Sequence, residues 1–195
     1  MQVNYCIVSI ALLRNSPYNL VRLDLIQAEV RAHNVRGWSL YSDFNTIGTT
    51  VGTEPDQMTL PTNGVLSDEY MIDVLWDPLT YPANGNSPIT SYNLEYDNAN
   101  GGFMWYSLVG FHPDSTALTY RITTGLVPGR TYMFRVSGRN AYGWGDASSF
   151  IYIKAATTPD QMISPVTSID IATGMMRISW ISPYNGGDTI TLYTI

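Results

Sequence analysis

The sequence predicts an all-β protein built from small sandwich-like units, and three observations lead to this prediction. Short segments of alternating apolar and polar residues are bounded by turn formers, as in 71–76 and 131–139. No window places apolar residues at helical spacing over the length that a helix needs. The tetrapeptide Pro-Asp-Gln-Met occurs at 55–58 and again at 159–162, 104 residues further on. Self-similarity over about one domain length indicates a tandem array.

Two further pairs of matching residues divide the chain into units. Trp76 and Trp180 are also 104 residues apart, and the segment 34–38 (Asn-Val-Arg-Gly-Trp) matches 140–144 (Asn-Ala-Tyr-Gly-Trp) with an offset of 106. We therefore expect three parts. They are the back half of one unit (1–54), a complete unit (55–158) and the front half of a further unit (159–195).

The middle part reads as seven short strands separated by turns. In the clearest of them, 131–139, Tyr132, Phe134 and Val136 alternate with the polar residues Arg135 and Ser137. Clusters of turn formers at 82–88, 97–102, 125–129 and 140–144 separate the strands. The residues predicted to form the structural core are Trp76, Tyr92, Leu94, Leu126, Tyr132, Phe134 and Val136, with Trp180 in the last part.

These residues resemble the signature of a fibronectin type III domain over the whole of 56–158. The resemblance rests on Trp76 in the second strand, Tyr92-x-Leu94 in the third, and Leu126-x-Pro-Gly-x-x-Tyr132 leading into the sixth. It implies an immunoglobulin-like β-sandwich. It also implies that Tyr132 forms a tyrosine corner, with its hydroxyl bonded to the backbone near Leu126.

The first part departs from this pattern. Ile26 stands where Tyr132 stands in the middle unit, so the first part lacks a tyrosine corner, and the segment Cys6–Leu13 looks like a variant of the family. The pairing of a variant unit with an ordinary one resembles long repeat-bearing surface proteins of ciliated protists. That resemblance implies an extracellular or cell-surface location.

Composition argues against two classes of partner. The net charge is −6, the pI is about 4.6 and only 13% of residues are charged. General affinity for nucleic acid or anionic lipid requires clustered Lys and Arg, whereas the arginines here are scattered. The longest apolar run, Cys6–Leu13, is too short for a membrane span. We expect neither a nucleic-acid partner nor a membrane segment.

No pattern of catalytic, cofactor-binding or metal-binding residues stands out. His33 and His112 lie in different units, without a cysteine neighbour to complete a metal site. An oxygen-rich cluster at 95–100 includes Asp97, but its spacing fits no cation loop and an Asn-Gly turn accounts for it. We therefore predict no enzyme activity, no cofactor and no metal.

Cys6 is the only cysteine, and two interpretations stay open for it. It is either a buried free thiol or one half of a disulfide whose partner lies in the missing front half of the first unit. The segment Trp144–Ser148 partly resembles the tryptophan-serine box of cytokine receptors, in which indoles stack on arginines such as Arg135 and Arg139. The box lacks its second tryptophan, so we expect a packing role for Trp144.

The predicted function is that of a non-catalytic structural or adhesive repeat segment of an extracellular fibrous or surface protein. Its expected partners are neighbouring repeats or copies of itself, joined head to tail, and other surface or matrix proteins. Filaments would form if the two half-units complete each other between copies. Two alternatives remain open: a ligand-binding segment of a receptor ectodomain, and a spacer module of a secreted enzyme.

Overall fold

The computed structural model describes residues 4–195, and strands account for nearly all of its regular structure. The elements, in chain order, are α1 (Ile10–Arg14), β1 (His33–Asn34), β2 (Gly37–Trp38), β3 (Thr62–Asn63), β4 (Ile72–Leu75), β5 (Ser91–Tyr96), β6 (Tyr106–Val109), β7 (Thr119–Ile122), β8 (Thr131–Asn140), β9 (Gly143–Trp144), β10 (Ile151–Lys154), β11 (Val166–Asp170) and β12 (Met175–Ser179). The all-β prediction is confirmed.

Two antiparallel sheets form the middle unit, by which we mean residues 55–158. The three-stranded sheet has the order β3-β4-β7, and the four-stranded sheet has the order β10-β8-β5-β6, with the short β9 also paired to β8. Long β8 pairs with β5 so that Leu94 lies opposite Val136, and β4 pairs with β7 so that Val74 lies opposite Tyr120. The inward side chains of both sheets therefore meet in one layer.

One hydrophobic core fills the space between these sheets. Its fully or almost fully buried members are Met58, Ile72, Val74, Trp76, Tyr92, Leu94, Ile122, Tyr132, Phe134, Val136, Ile153 and Ala155. In β10, Ile153 is buried, whereas Tyr152 and the preceding Phe150 are exposed. Alternation along β10 thus directs the aliphatic residues inward and the aromatic residues to the outer face.

The first segment, residues 4–54 as described, contains little regular strand. Helix α1 overlaps the end of the stretch Cys6–Leu13, which is predicted to be a family variant, and this differs from the prediction of no helix. Ser9 caps the helix, because its Oγ accepts a hydrogen bond from the N–H of Leu12 at 3.2 Å. The helix is one short turn with no buried residue, so local capping forms it without the support of a core.

The last segment, residues 159–195, contains the hairpin β11–β12, flanked by stretches without regular secondary structure that include a turn at 186–187. The hairpin pairs Val166 with Ser179 and Asp170 with Met175. None of the ten residues in its two strands is buried. In the middle unit, the corresponding strands β3 and β4 pack one face against the four-stranded sheet. In the hairpin β11–β12, this face is largely exposed to solvent.

Candidate functional sites: the joints between units and the outer face of the four-stranded sheet

The structure places most of the predicted core residues between the two sheets of the middle unit. Trp76, Tyr92, Leu94, Tyr132, Phe134 and Val136 are buried, and Leu126 is half-buried against the same cluster. Trp180 differs from the prediction, because 37% of its side chain is exposed whereas Trp76 is 5% exposed. The last segment supplies no second sheet in the described residues, and Trp180 packs against Tyr193 in a tilted arrangement, with ring centroids 5.5 Å apart.

Two buried tyrosines tie loops to the core through their hydroxyl groups. The N–H of Val127 donates to Tyr132 Oη at 2.8 Å, next to the residue near which the tyrosine corner was expected. The N–H of Leu79 donates to Tyr92 Oη at 2.9 Å, a second tie that the sequence did not reveal. Burial raises the pKa of Tyr92, and the bond from Leu79 partly offsets this rise. Both phenols act as acceptors that fix a loop.

Asp97, the acidic residue of the oxygen-rich turn, is 1% exposed and serves the fold. Its carboxylate accepts four backbone N–H bonds, from Ala99 and Met133 on Oδ1 at 2.9 Å each, and from Gly101 and Gly102 on Oδ2 at 3.0 and 3.2 Å. These donors saturate both oxygens, which is why a carboxylate can be buried here. The group is an anchor between the turn and β8.

A row of arginines and aromatic side chains covers the outer face of the four-stranded sheet. The guanidinium of Arg135 lies 4.1 Å from the centroid of Trp105 and its Nε is 2.7 Å from Glu95 Oε2. Arg139 lies 5.2 Å from the centroid of Trp144 and pairs with Asp114. Both arginines that the sequence suggested as indole partners thus form a cation–π contact with an indole ring. Arg139 contacts Trp144, whereas Arg135 contacts Trp105, which lies outside the segment that resembles the tryptophan-serine box.

The outer face also exposes aromatic rings beyond these two pairs. Phe111 stacks on Trp144 with centroids 6.1 Å apart, and Phe150 lies 6.0 Å from Trp105 and 5.5 Å from Tyr152. Phe111 and Tyr152 are mostly exposed. A contiguous exposed surface of this kind is typical of an interaction site.

At the first joint, the linker preceding the middle unit lies against the loop between β4 and β5, which we call the B–C loop (residues 77–90). The N–H of Thr53 donates to Gly85 O at 2.9 Å, and the N–H of Asp56 donates to Ala83 O at 2.8 Å. From the far side, Asn140 Nδ2 donates to Thr53 O at 2.7 Å.

Two ion pairs flank this joint. Arg14 Nη1 lies 3.1 Å from Glu54 Oε2, and Arg22 Nη1 lies 2.5 Å from Asp56 Oδ1. A bond from its own backbone N–H lowers the pKa of Glu54, and the bond from Arg14 lowers it further. The hydrogen bond to Asp56 raises the pKa of Arg22. The first segment is therefore tied electrostatically to the linker.

At the second joint, the next linker meets the corresponding loop of the last segment in the same way. The N–H of Thr157 donates to Gly186 O at 2.7 Å, and the N–H of Asp160 donates to Tyr184 O at 3.0 Å. Lys154 Nζ lies 2.5 Å from Asp188 Oδ1, and this bond lowers the pKa of Asp188, as does the bond from the N–H of Thr189. The two joints thus share their backbone contacts.

The first segment and the middle unit share one hairpin pattern. In the first segment, the N–H of Ser42 donates to Val30 O at 2.8 Å, and the N–H of Val30 donates to Ser42 Oγ at 3.0 Å. In the middle unit, Ser148 and Val136 form the same pair of bonds, at 2.8 and 3.1 Å. The second pair lies 106 residues after the first, the same offset that relates 34–38 to 140–144.

The turns of the two hairpins also agree. Asn34 pairs with Gly37, and Asn140 pairs with Gly143. Each asparagine Oδ1 accepts a 2.8 Å bond from the N–H two residues later. The match between 34–38 and 140–144 is therefore a match of backbone geometry as well as of sequence.

The remaining candidate residues lie apart from one another. Cys6 is exposed and free, so the interpretation as a buried thiol is wrong. His33 lies against Trp38 with ring centroids 4.7 Å apart and the rings tilted by 56°, and His112 is exposed. Within residues 4–195, no three His, Cys, Asp or Glu side chains come together as a metal site would require. No helix in the described part of the chain has the length and apolar character to cross a membrane.

These features define an immunoglobulin-like sandwich of one three-stranded and one four-stranded sheet, fixed by a tyrosine corner. A comparison with protein families matches residues 58–154 to the Fibronectin type III domain. The chain therefore contains a fibronectin type III domain.

Individual proteins match over a wider part of the chain. Human usherin is 28% identical over 168 residues, which cover 86% of this chain and 3% of usherin. Chicken fibronectin type-III domain-containing protein 3a is 29% identical over 126 residues, or 64% of this chain and 10% of that protein. This chain thus spans a small fraction of the relatives it matches. Among solved structures, the sixth fibronectin type III domain of the human fibronectin type III domain containing protein 3 is 24% identical and covers 60% of this chain and 99% of its own, with a TM-score of 0.43.

Proposed function

We propose that this chain is a segment of a non-catalytic tandem array of fibronectin type III-type units that serves as a structural or adhesive spacer. The observation that carries the proposal is the recurrence of one hairpin hydrogen-bond pattern at an offset of 106 residues. The usherin match covers 86% of the chain, so similarity extends beyond residues 58–154. The units in this proposal are 1–54, 55–158 and 159–195.

Location and setting belong to the same proposal. An array of this kind separates or links other groups outside the cell or at its surface. The low charge and the scattered arginines fit a surface that neither binds nucleic acid nor adheres to anionic lipid.

Stretching the chain from its two ends tests the array. The middle unit has its own closed core, so it should unfold in one step that releases roughly 300 Å of contour length from residues 58–154. The flanking segments should extend at much lower force, because their apolar faces are open. A chain that extends smoothly, with no discrete step, would contradict the proposal.

Completion of the half-units between copies is a further part of the proposal. The open face of the last segment includes Ile178, Trp180, Ile190 and Leu192. The hairpin of the first segment corresponds to the strands that the last segment lacks, so a second copy can supply them. The resulting contact is heterologous and would extend into a filament.

Sedimentation velocity over a concentration series tests this completion. We expect the chain to associate with no closed end size and expect Ile178→Asp, in the open face, to abolish the association. The matched control is Ile171→Asp in the exposed turn, where the side chain is 96% exposed, and it should leave association unchanged. Equal behaviour of the two variants would remove self-completion from the proposal.

A second candidate function, ligand binding by a receptor ectodomain segment, is favoured by one observation. The outer face of the four-stranded sheet exposes Phe111, Phe150 and Tyr152 beside the arginine–indole pairs. Alanine substitutions in the neighbouring loops 97–102 and 140–147 would weaken capture of a purified protein ligand if this function applies.

A further inference from the structure

The two joints share a left-handed glycine against which the linker backbone is pressed. Gly85 has φ +72° and Gly186 has φ +64°. A Cβ at Gly85 would lie 2.2 Å from Thr53 O, and a Cβ at Gly186 would lie 2.4 Å from Thr157 O. Only glycine combines this backbone conformation with so close an approach. Each glycine therefore sets how near the preceding linker can come.

The residues on either side of each glycine repeat as well. Asn84 Oδ1 accepts a 3.1 Å bond from the N–H of Asn86, and Asn185 Oδ1 accepts a 3.1 Å bond from the N–H of Gly187. This Asx turn holds each loop in the shape that presents its glycine. Both loops carry the sequence Asn-Gly, followed by a third residue that also has positive φ.

That third residue contacts the end of the preceding unit. Asn86 Nδ2 donates to Thr50 Oγ1 at 2.7 Å. At the second joint, Gly187 packs so that a Cβ there would lie 2.9 Å from Gly129 N and 3.0 Å from Ala155 O. The loop therefore touches both the linker and the body of the unit before it.

Near each joint, the preceding unit has the same backbone turn, held by one hydrogen bond, which we call the corner. The N–H of Leu23 donates to Val51 O at 3.0 Å, and the N–H of Gly129 donates to Ala155 O at 2.8 Å. Leu23 and Gly129 both have positive φ, of 75° and 82°. A linker bonded at both ends, between two corners of fixed shape, loses the freedom of an ordinary flexible linker.

We propose that the B–C loop of each unit is a docking site for the linker and corner of the unit before it, and that its Asn-Gly turn locks neighbouring units in one repeated orientation. This inference rests on the proposed tandem array and specifies its mechanics. The array would be a stiff rod in which every joint applies the same rotation. The partner that the loop recognises is a second unit of this kind, presented through a Thr-x-Pro-Asp linker.

Single-molecule fluorescence energy transfer at picomolar concentration tests the lock without interference from association. Dyes are placed at Val35→Cys and Val65→Cys, positions that are 100% and 99% exposed, in a chain carrying Cys6→Ser. We expect one narrow population without motion on the timescale of the fluorescence lifetime. Gly85→Ala should replace it with a dynamically averaged, shifted population.

The control is Gly125→Ala. Gly125 has φ +77°, so alanine there introduces comparable backbone strain, but its Cβ would meet nothing within 4 Å. We expect this variant to keep the narrow population. A mobile inter-unit pair in the unsubstituted chain, or an unchanged population in Gly85→Ala, would overturn the proposal.

A second dye pair, at Val35→Cys and Ile47→Cys within the first segment, separates this inference from the proposed function. If the internal pair gives a narrow population and the inter-unit pair is mobile, the units are folded but rotate freely relative to each other. That result would contradict the proposed lock and would be compatible with the proposed array. If both pairs are mobile, the first segment does not hold its unit structure, and both proposals fail.

Discussion

The first segment and the middle unit share a hairpin but differ in what surrounds it. Val30 and Val136 make the same two bonds to a serine, yet Val30 is 72% exposed and Val136 is fully buried. Backbone pairing and the Asn-x-x-Gly turn are local, so they form in both places. Burial requires the opposite sheet, which only the middle unit has within the described residues. Local sequence thus specifies the hairpin, and the second sheet makes it a core.

The last segment and the middle unit also differ in the burial of equivalent residues, here on the side of the three-stranded sheet. Met58 and Trp76 are buried, whereas Met162 and Trp180, 104 residues later, are 38% and 37% exposed. Matching residues therefore carry very different stabilising energies, and matched substitutions can measure the difference.

The largest effect is expected for the tryptophans. Trp76→Ala should lower the free energy of unfolding of the middle unit by about 3–5 kcal/mol, because it opens a cavity in the core. Trp180→Ala should change that free energy by less than about 0.5 kcal/mol. Urea denaturation followed by far-ultraviolet circular dichroism measures both. Equal losses would show that the last segment shares the core of the middle unit.

The buried carboxylate should come next. In Asp97→Asn, the amide NH₂ replaces an oxygen that faces backbone N–H groups, so donors are left without acceptors. We expect a loss of about 3 kcal/mol in the free energy of unfolding. Asp170→Asn is the control, since the exposed carboxylate of Asp170 accepts one backbone bond, from the N–H of Ala172 at 3.0 Å. The same denaturation assay applies, and a neutral Asp97→Asn would contradict the role of Asp97 as an anchor.

The valines give the most direct comparison of equivalent positions. Val136→Ala should cost about 2 kcal/mol in the unfolding of the middle unit, through lost burial and incomplete collapse of the cavity. Val30→Ala, at an exposed position with the same backbone bonds, should cost less than about 0.5 kcal/mol. Thermal unfolding monitored by circular dichroism would detect the difference. A larger loss for Val30→Ala would mean that the first segment has a core of its own.

The smallest expected effect is a loss of stability of the first joint at acidic pH. The pKa of Glu54 is lowered by hydrogen bonds, from its own backbone N–H first and then from Arg14. A lowered pKa means that the ionised pair stabilises the joint above the ordinary carboxyl range, about 4, and that this contribution is lost as the pH falls through the pKa of the folded state. Both side chains are partly exposed, at 40% for Arg14 and 44% for Glu54, so the contribution is modest and screened by salt.

Titration of the inter-unit energy transfer between neutral pH and pH 3 measures this effect. We expect slight broadening at the acid end, reduced in Glu54→Gln, which has no carboxyl to protonate. If Glu54→Gln broadens as much as the unsubstituted chain does, other groups govern the acid response of the joint.

Much of the fold could be predicted, because alternation and turn formers are local signals. The positions of the strands, the tyrosine corner at Tyr132 and the match of 34–38 with 140–144 all follow from residues close in sequence. The helix α1 was missed because a single capped turn is too short to show periodicity. The exposure of Trp180 was missed because its burial depends on strands that the described chain does not place beside it.

The joints could be predicted only in part. The repeated Pro-Asp-Gln-Met marks their positions in the sequence, and its proline restricts the backbone there. The docking of the linker on Gly85 could not be seen, because an Asn-Gly turn has the same sequence whether or not another backbone lies against it. The role of Asp97 was hidden for a related reason, since its four donors include Met133, 36 residues away.

Hydrogen exchange of the whole chain, measured by mass spectrometry below the concentration of association, most directly tests the central claim that only the middle unit closes a core. We expect the slowest exchange in β5 and β8, and fast exchange in β11 and β12, whose strands have no buried residue. Protection of β11 and β12 equal to that of β5 and β8 would contradict the claim.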